Sequence, residues 1–148
     1  MTALLVELHL GVPMNVAIEM HDSQCLAVEV DRSGNGFVLL DAYVHRTEGE
    51  PGVAPGEGGV QRIRIIVESM RVNGEVGSLP SDIFEGSLTI GTSTQENMVP
   101  FPTSYSDAVS VSMMLANDAR VVVVSGKRLS IEPEGPFKYV EDFSGMLS

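Results

Sequence analysis

The chain has 148 residues, of which 43% are hydrophobic and 20% are charged, a composition typical of one globular domain rather than of a disordered or membrane-spanning chain. Its formal net charge of −11 repels the phosphate backbone on which nucleic-acid affinity depends. Purely apolar runs, such as residues 121–124, are at most four residues long and too short to cross a membrane, and the start lacks the basic region of a signal peptide. The single Cys25 precludes an intramolecular disulfide, so we expect a cytoplasmic protein that binds neither nucleic acid nor membrane.

Four stretches in the first third of the chain alternate apolar and polar side chains, which is typical of half-buried strands: residues 4–10, 14–20, 25–31 and 37–46. The short polar or Gly/Pro segments between them predict hairpin loops. Pairing across these loops sets Met20 against Leu26 and Val28 against Leu40, so the apolar sets share one face. A common interior containing Val16, Val28 and Leu40 follows from this register.

The middle of the chain is less regular. Residues 47–60 are rich in Gly, Pro and Glu and predict a flexible loop within the domain, followed by a long strand at 61–72. Pro80 and nearby capping residues favour at most one short helical turn near residues 80–85. Beyond it we expect a strand at 87–92 and an extended segment at 97–102.

The last third predicts strands at 108–115 and 120–125 and a final strand at 137–143. Pairing sets Met113 against Val122, and a second tight turn at residues 126–127 sets Val124 against Leu129. The valine run at 121–124 then lies between two strands, with burial on both faces. The whole pattern predicts one all-β domain spanning residues 1–148, an antiparallel β-barrel or β-sandwich of about nine or ten strands.

Three short patterns lie in the second half of the chain: Leu-Pro-x-x-hydrophobic-x-x-Gly at residues 79–86, Asn-x-hydrophobic-Pro-x-Pro at 97–102, and aromatic-x-Glu-x-Phe at 139–143. In these patterns the chain resembles a group of small bacterial all-β proteins of unknown function. The resemblance covers roughly the last 70 residues. It implies a bacterial origin and a shared fold, but no activity that can be transferred to this chain.

Catalytic and metal chemistry find little support in the sequence. His9 and His21 lie too far apart along the predicted strands to share a metal, and His45 pairs at most with His21. The register sets His21, Cys25 and Tyr43 side by side as a polar cluster, but no residue is identified that would orient the histidine, so a structural cysteine is favoured. The glycines of residues 56–59 lack the Lys and hydroxyl of a phosphate-binding loop. We therefore predict no catalytic residue, no metal and no cofactor.

The outward face of the first four strands is too apolar to be a plain solvent face. It carries Leu5, Phe37, Leu39 and Tyr43 among several carboxylates. Either the chain itself covers these side chains, through the loop at 47–60 or the tail at 137–143, or they form an interface, most simply in a symmetric homodimer.

The sequence favours a non-catalytic binding module that self-associates or binds another protein. Two alternatives stay open. A closed barrel would hold a small apolar ligand, with an adaptable lining of Met14, Met20, Met70, Met98 and Met113. An acidic surface would instead suit an inhibitor or immunity-type partner of a basic protein.

Overall fold

The computed structural model describes residues 14–117 and 119–145, and the regular structure in these ranges consists of twelve strands and no helix. The strands are β1 (Asn15–Val30), β2 (Gly36–Thr47), β3 (Gly56–Glu68), β4 (Arg71–Asn73), β5 (Ser81–Ile90), β6 (Ser93–Glu96), β7 (Met98–Pro100), β8 (Thr103–Tyr105), β9 (Val109–Leu115), β10 (Arg120–Gly126), β11 (Arg128–Pro133) and β12 (Lys138–Phe143). The predicted strand at 4–10 lies outside the described residues. No helix in the described ranges is long and apolar enough to cross a membrane.

All twelve strands belong to one curled antiparallel sheet that forms a half-barrel, which confirms the predicted all-β, barrel-like domain. The main strand order is β4-β10-β9-β5-β1-β2-β3-β11-β8. Three short strands pair beside this path: β6 with β5, β7 with β1 and β12 with β3. The sheet curls because a strongly twisted sheet brings its two halves face to face around one core.

The inward faces of the strands supply a filled core. Leu40, Ile63, Met113, Val122 and Leu129 each lose at least 99% of their side-chain exposure. Val16 and Val28 pack against the same cluster from its margin, so the predicted common interior is confirmed. Full burial of a side chain of this size contributes roughly 1.5–3 kcal/mol, which makes this interior the main source of stability.

The predicted hairpin at residues 22–24 is wrong, because β1 continues straight through this segment. Both halves of β1 pair with β2, and the register shifts between Glu19 and Gln24. Ser23, which is 2% exposed, fills the break: its hydroxyl donates to the Glu19 carbonyl (2.8 Å) and accepts from the Tyr43 amide (2.9 Å). A polar triplet that looks like a turn is therefore a bulge whose side chain replaces the missing ladder contact.

The predicted hairpin between β1 and β2 is present, but its register differs from the predicted one. Val28 pairs with Val38 rather than with Leu40, a shift of two residues that leaves Val28 on its predicted face. A second register shift, between Cys25 and Ala27, accompanies the burial of Cys25, which the prediction placed on the outward face. Asp31 sets the turn, since its carboxylate accepts from the amides of Ser33 (2.8 Å) and Asn35 (3.1 Å).

The predicted loop at 47–60 is shorter than expected, because Thr47 ends β2 and Gly56 already begins β3. The glycines of this segment allow close packing: a Cβ on Gly58 would lie 2.4 Å from the Tyr43 hydroxyl, and one on Gly59 would lie 2.6 Å from the Phe137 ring. A flexible loop and a closely packed strand both favour glycine, so the sequence does not distinguish the two structures.

The helical turn at 80–85 is absent, since this segment is the start of β5. The pairing of Met113 with Val122 is confirmed, whereas the pairing of Val124 with Leu129 is wrong. β10 pairs with β9 and β4, and β11 pairs with β3 and β8. The chain crosses between them where Lys127 donates its amide to the Glu68 carbonyl (2.9 Å).

Candidate functional site

The predicted interface residues Phe37, Leu39 and Tyr43 all lie on the outward face of β2, and Leu5 lies outside the described residues. Across the sheet, Phe37 pairs with Ile66, Leu39 with Arg64 and Asp41 with Arg62. We call this surface the arginine face, defined by Phe37, Leu39, Arg62, Arg64 and Ile66.

On the arginine face, an arginine side chain covers the apolar ring of Phe37, and both arginines are paired with carboxylates. The Arg64 guanidinium lies 4.1 Å from the centre of the Phe37 ring and also pairs with Glu134. Arg62 Nε lies 2.7 Å from Asp41 Oδ1. The hydrogen bond from Arg64 holds the pKa of Glu134 below its ordinary value. Phe37 and Leu39 are half-buried as a result, and Ile66 is left 39% exposed.

The tail strand β12 covers the remaining predicted residue. The Tyr43 hydroxyl donates to Glu141, and the Tyr43 ring meets the Phe143 ring edge-on at 6.3 Å. Phe143 also stacks on His45, with ring centres 4.6 Å apart. At Tyr43 the chain's own tail thus occupies the position that an external partner would take.

A polar cluster lies beneath Phe143. His45 Nε2 is 2.5 Å from Glu19 Oε1, and this hydrogen bond holds the pKa of Glu19 below its ordinary value. Burial and the nearby Glu19 charge raise the pKa of Asp22. The Ser23 hydroxyl is bonded to the Glu19 carbonyl rather than to His45, so these groups do not form a serine nucleophile with its base. The cluster ties β1 to β2.

His21, Cys25 and Tyr43 do not come together, contrary to the predicted cluster. His21 and Cys25 follow one another along a single strand, because the hairpin that would bring them face to face is absent. Cys25 is fully buried in the core, and this burial raises the pKa of its thiol to about 11. His21 is exposed, and its Nδ1 lies 2.7 Å from the Phe84 carbonyl. A buried, protonated thiol is a poor nucleophile.

Within residues 14–117 and 119–145 no group of three His, Cys, Asp or Glu side chains is placed to hold a metal ion. His21 and His45 contact different partners, Phe84 and Glu19 respectively. His9 lies outside these ranges.

A second apolar surface, which the sequence reasoning missed, lies on the outward face of β5, β9 and β10. Met114 pairs with Glu85 on one side and with Val121 on the other. Phe84 is the extra residue of a bulge in β5 and points outward, 55% exposed, while Val121 is 49% exposed. The three apolar side chains therefore lie on three neighbouring strands.

These side chains border a groove with a volume of about 510 Å³. We call it the β9 groove, defined by Phe84, Glu85, Glu96, Ser112, Met114 and Val121. Its position on strands rather than on loops means that its shape is held by the sheet.

Asn97 holds the two bulges that shape the groove. This residue has φ 65°, a left-handed conformation that Asn tolerates better than most residues. Its side-chain oxygen accepts from the His21 amide (2.8 Å), and its carbonyl accepts from the Met20 amide (2.9 Å). Its own amide donates to the Gly86 carbonyl (2.9 Å). β1 and β5 are thereby fixed beside each other at the groove's end.

The charge of the β9 groove differs from that of the arginine face. Glu85 and Glu96 are both exposed, and no Lys or Arg lies among the lining residues. In the described part of the chain neither carboxylate takes part in an ion pair. The groove therefore combines an apolar border with two carboxylates that form no ion pair. The exposed His21 imidazole also lines it, and its hydrogen bond to the Phe84 carbonyl, together with nearby carboxylates that include Glu85, raises the pKa of His21.

The sequence contained a weak signal for this groove. Met114 follows Ser110 and Ser112 on the outward side of β9, so an apolar residue ends a row of small hydroxyls. The valine run was predicted to be buried on both faces, but Val121 points outward and is exposed. Phe84 fell within the predicted helical turn, where its direction could not be inferred.

The five methionines of the predicted ligand lining divide into two sets. Met20, Met70 and Met113 are core residues. Met14 and Met98 instead line an open apolar groove of about 780 Å³ together with Phe101.

No family model, curated protein or solved structure matched this chain. The residues and their geometry are therefore the basis for any functional conclusion.

Proposed function

We propose that this protein is a non-catalytic binding module and that the β9 groove is its partner-binding site. The observation that carries the proposal is that two exposed side chains, Phe84 and Val121, flank the half-buried Met114 on three neighbouring strands. Apolar side chains grouped at a concave surface are typical of binding sites, whereas single exposed ones are ordinary. Aromatic and Met residues are also enriched at the centres of protein interfaces.

The composition of the groove supports a protein or peptide partner. A bulge holds Phe84 outward, so a partner would not need to reorganise the backbone to reach it. Ser87 and Ser112 line the groove and offer hydroxyls that can donate or accept hydrogen bonds. An apolar anchor beside adaptable polar groups is the usual layout of an interface centre and its rim.

Two side chains that could act as a nucleophile or its base, Cys25 and His45, are engaged away from the groove, which supports a non-catalytic role. Cys25 is buried as a thiol, and the imidazole of His45 is held between Glu19 and Phe143. A nucleophile needs a base within hydrogen-bond reach and access to a substrate. Neither group has both.

Photocrosslinking in source cells tests the proposal. A benzophenone amino acid is placed at position 114 in the groove and, as a control, at the exposed position 140 on β12, which lies outside both proposed surfaces. We expect a discrete crosslinked partner from position 114, and none or much less from position 140. Equal labelling from both positions, or no adduct from the groove, would contradict a binding role for this surface.

Self-association through the arginine face is a second candidate function. The observation in its favour is that Ile66 and Val60 are exposed on a face that carries both arginines and carboxylates, so two copies could match opposite charges. Light scattering during size exclusion would show a dimer that Ile66→Glu converts to a monomer. A wild-type protein that stays monomeric at roughly 100 µM would argue against it, since a dimer with a micromolar dissociation constant would form at that concentration.

A further inference from the structure

We infer that the partner of the β9 groove is a cationic polypeptide segment, in which Lys or Arg side chains flank an apolar anchor. The inference rests on the proposed binding function and adds the chemistry of the partner. It follows from the position of Glu85 and Glu96, two exposed carboxylates without an ion pair in the described residues, beside the apolar side chains of the groove.

The ion pairs that the described residues form all lie outside the groove. Four arginines, Arg46, Arg62, Arg64 and Arg128, each face a carboxylate within 4.0 Å. Arg120, which is next to Val121 in sequence, is paired with Glu75. Glu85 and Glu96 have no such partner in the described residues, although both border an apolar surface.

A carboxylate beside an apolar surface is poorly placed for an apolar partner, because binding would remove its water without replacing the lost hydrogen bonds. A partner that brings its own cations avoids this penalty. Arg and Lys also carry long apolar stems, which can lie along Met114 and Phe84 while their charged ends reach Glu85.

The spacing of the carboxylates suits an extended segment. Glu85 is opposite Met114, and Glu96 is opposite Ser87, two residues further along β5. Strand geometry places the two rows about 7 Å apart along β5, and Glu96 lies one strand, about 4.8 Å, to the side, so the two residues are roughly 8 Å apart, within reach of alternate long side chains on an extended chain. Two cationic side chains at positions i and i+2 could therefore meet both carboxylates.

Electrostatics also oppose the competing occupants. A second copy docked groove to groove would bring four carboxylates without ion pairs together, and a nucleic acid would bring its phosphates against them. The net charge of −11 adds long-range attraction for a basic partner.

The experiment uses the full chain, labelled with nitrogen-15, and two capped peptides. The cationic peptide is Gly-Arg-Trp-Lys-Leu-Arg-Gly, and the control peptide replaces each basic residue with Gln. We expect the cationic peptide to shift the amide resonances of β5, β9 and β10 and to bind at least tenfold more tightly than the control peptide. Its affinity should fall at least tenfold between 50 and 300 mM salt, on the order expected when charged groups dominate.

Two protein variants of equal net charge complete the test. Glu85→Gln with Glu96→Gln removes both groove carboxylates, whereas Glu50→Gln with Glu132→Gln removes two exposed carboxylates elsewhere; each changes the net charge from −11 to −9. We expect the first variant to lose at least tenfold in affinity and the second less than twofold. Equal losses in both variants would overturn the inference, because they would indicate a general charge effect.

The outcomes separate this inference from the proposed function. If both peptides bind the groove equally and Phe84→Ser weakens both, the cationic partner is wrong while the binding site stands. If groove resonances shift with protein concentration and no peptide competes, the occupant is a second copy, which also overturns the inference. Shifts confined to other strands would overturn it too, and photocrosslinking at position 114 then decides the proposed function separately.

Discussion

The arginine face and the β9 groove are two outward surfaces of the same curled sheet, and both combine apolar with charged side chains. On the arginine face each charge has a partner within the chain, and Arg64 covers the most apolar residue, Phe37. In the groove, Phe84 and Val121 are about half exposed and the carboxylates are unpaired. The comparison teaches that apolar residues on an outward face indicate a partner only where the chain does not cover and neutralise them itself.

The largest expected effect concerns the support of the groove. Asn97→Ala removes the acceptor of the His21 amide and forces Ala into a left-handed conformation, so we expect a loss of about 2–3 kcal/mol in unfolding free energy. Asn97→Gly loses the same acceptor without the steric penalty and should be about 1 kcal/mol more stable than Asn97→Ala. Urea denaturation followed by circular dichroism measures both, and equal stability of all three proteins would show that Asn97 does not hold the bulges.

A matched pair of phenylalanine substitutions tests the comparison directly. Phe37→Ala removes a half-buried ring together with its contact to Arg64, and should cost about 1–2 kcal/mol. Phe84→Ala removes an exposed ring and should change stability by less than about 0.5 kcal/mol. The comparison fails if Phe84→Ala is the more destabilising change, because Phe84 would then serve packing rather than binding.

Acid should weaken the contact between Glu19 and His45, which ties β1 to β2. The folded pKa of Glu19 lies below its unfolded value near 4.5, so its stabilising contribution is present above that pH and is lost as the pH falls through the folded pKa. Glu19→Gln should therefore flatten the decline of stability in acid. Asp22, whose pKa is raised, acts with the opposite sign, since its contribution is lost as the pH rises.

Urea titrations of wild type and Glu19→Gln between pH 7 and pH 3 give the difference in unfolding free energy between the two proteins at each pH. Glu85→Gln serves as the control, because it removes a carboxylate outside the ion pairs of the described residues. A wild-type curve that parallels Glu19→Gln throughout would contradict the role assigned to the Glu19–His45 contact.

The smallest expected effect on stability distinguishes a substitution of Arg64 from the same substitution of Arg128. Arg64→Lys loses a fork-shaped contact to Glu134 and the stacking on Phe37, for which we expect about 0.5–1 kcal/mol. Arg128 lies 3.5 Å from Glu68 in an exposed pair, so Arg128→Lys should have almost no effect on stability. Thermal unfolding resolves the two variants, and identical midpoints would show that Arg64 does not stabilise the face.

Much of the fold could be predicted, because strict alternation assigns each residue to a face whatever its neighbour. Val28 stays on the core side although its partner is Val38 rather than Leu40, since a shift of two residues preserves the face. The pairing partners of residues across the sheet were harder to predict. Val124 lies beside Val72 and Val111, not beside Leu129. A tight turn between two strands does not oblige them to pair when the chain changes its position in the sheet.

The candidate site could not be predicted for a related reason. Asp22, Ser23 and Gln24 have the composition of a turn, and only the contacts of Ser23 with Glu19 and Tyr43 show that they form a bulge. The outward direction of Phe84 likewise depends on a bulge that no local pattern marks. Bulges reverse the direction of side chains without changing composition.

The sequence by itself determined the all-β class, the long strands and most residues of the core, because these follow from local alternation and from the removal of apolar surface from water. Only the tertiary structure decided which strands are neighbours, which outward side chains the chain covers and which carboxylates have no partner. Those features depend on contacts between residues far apart in the chain, such as Arg64 with Phe37 and Asn97 with His21. Residue order does not encode them in any local pattern, and the proposed function depends on them.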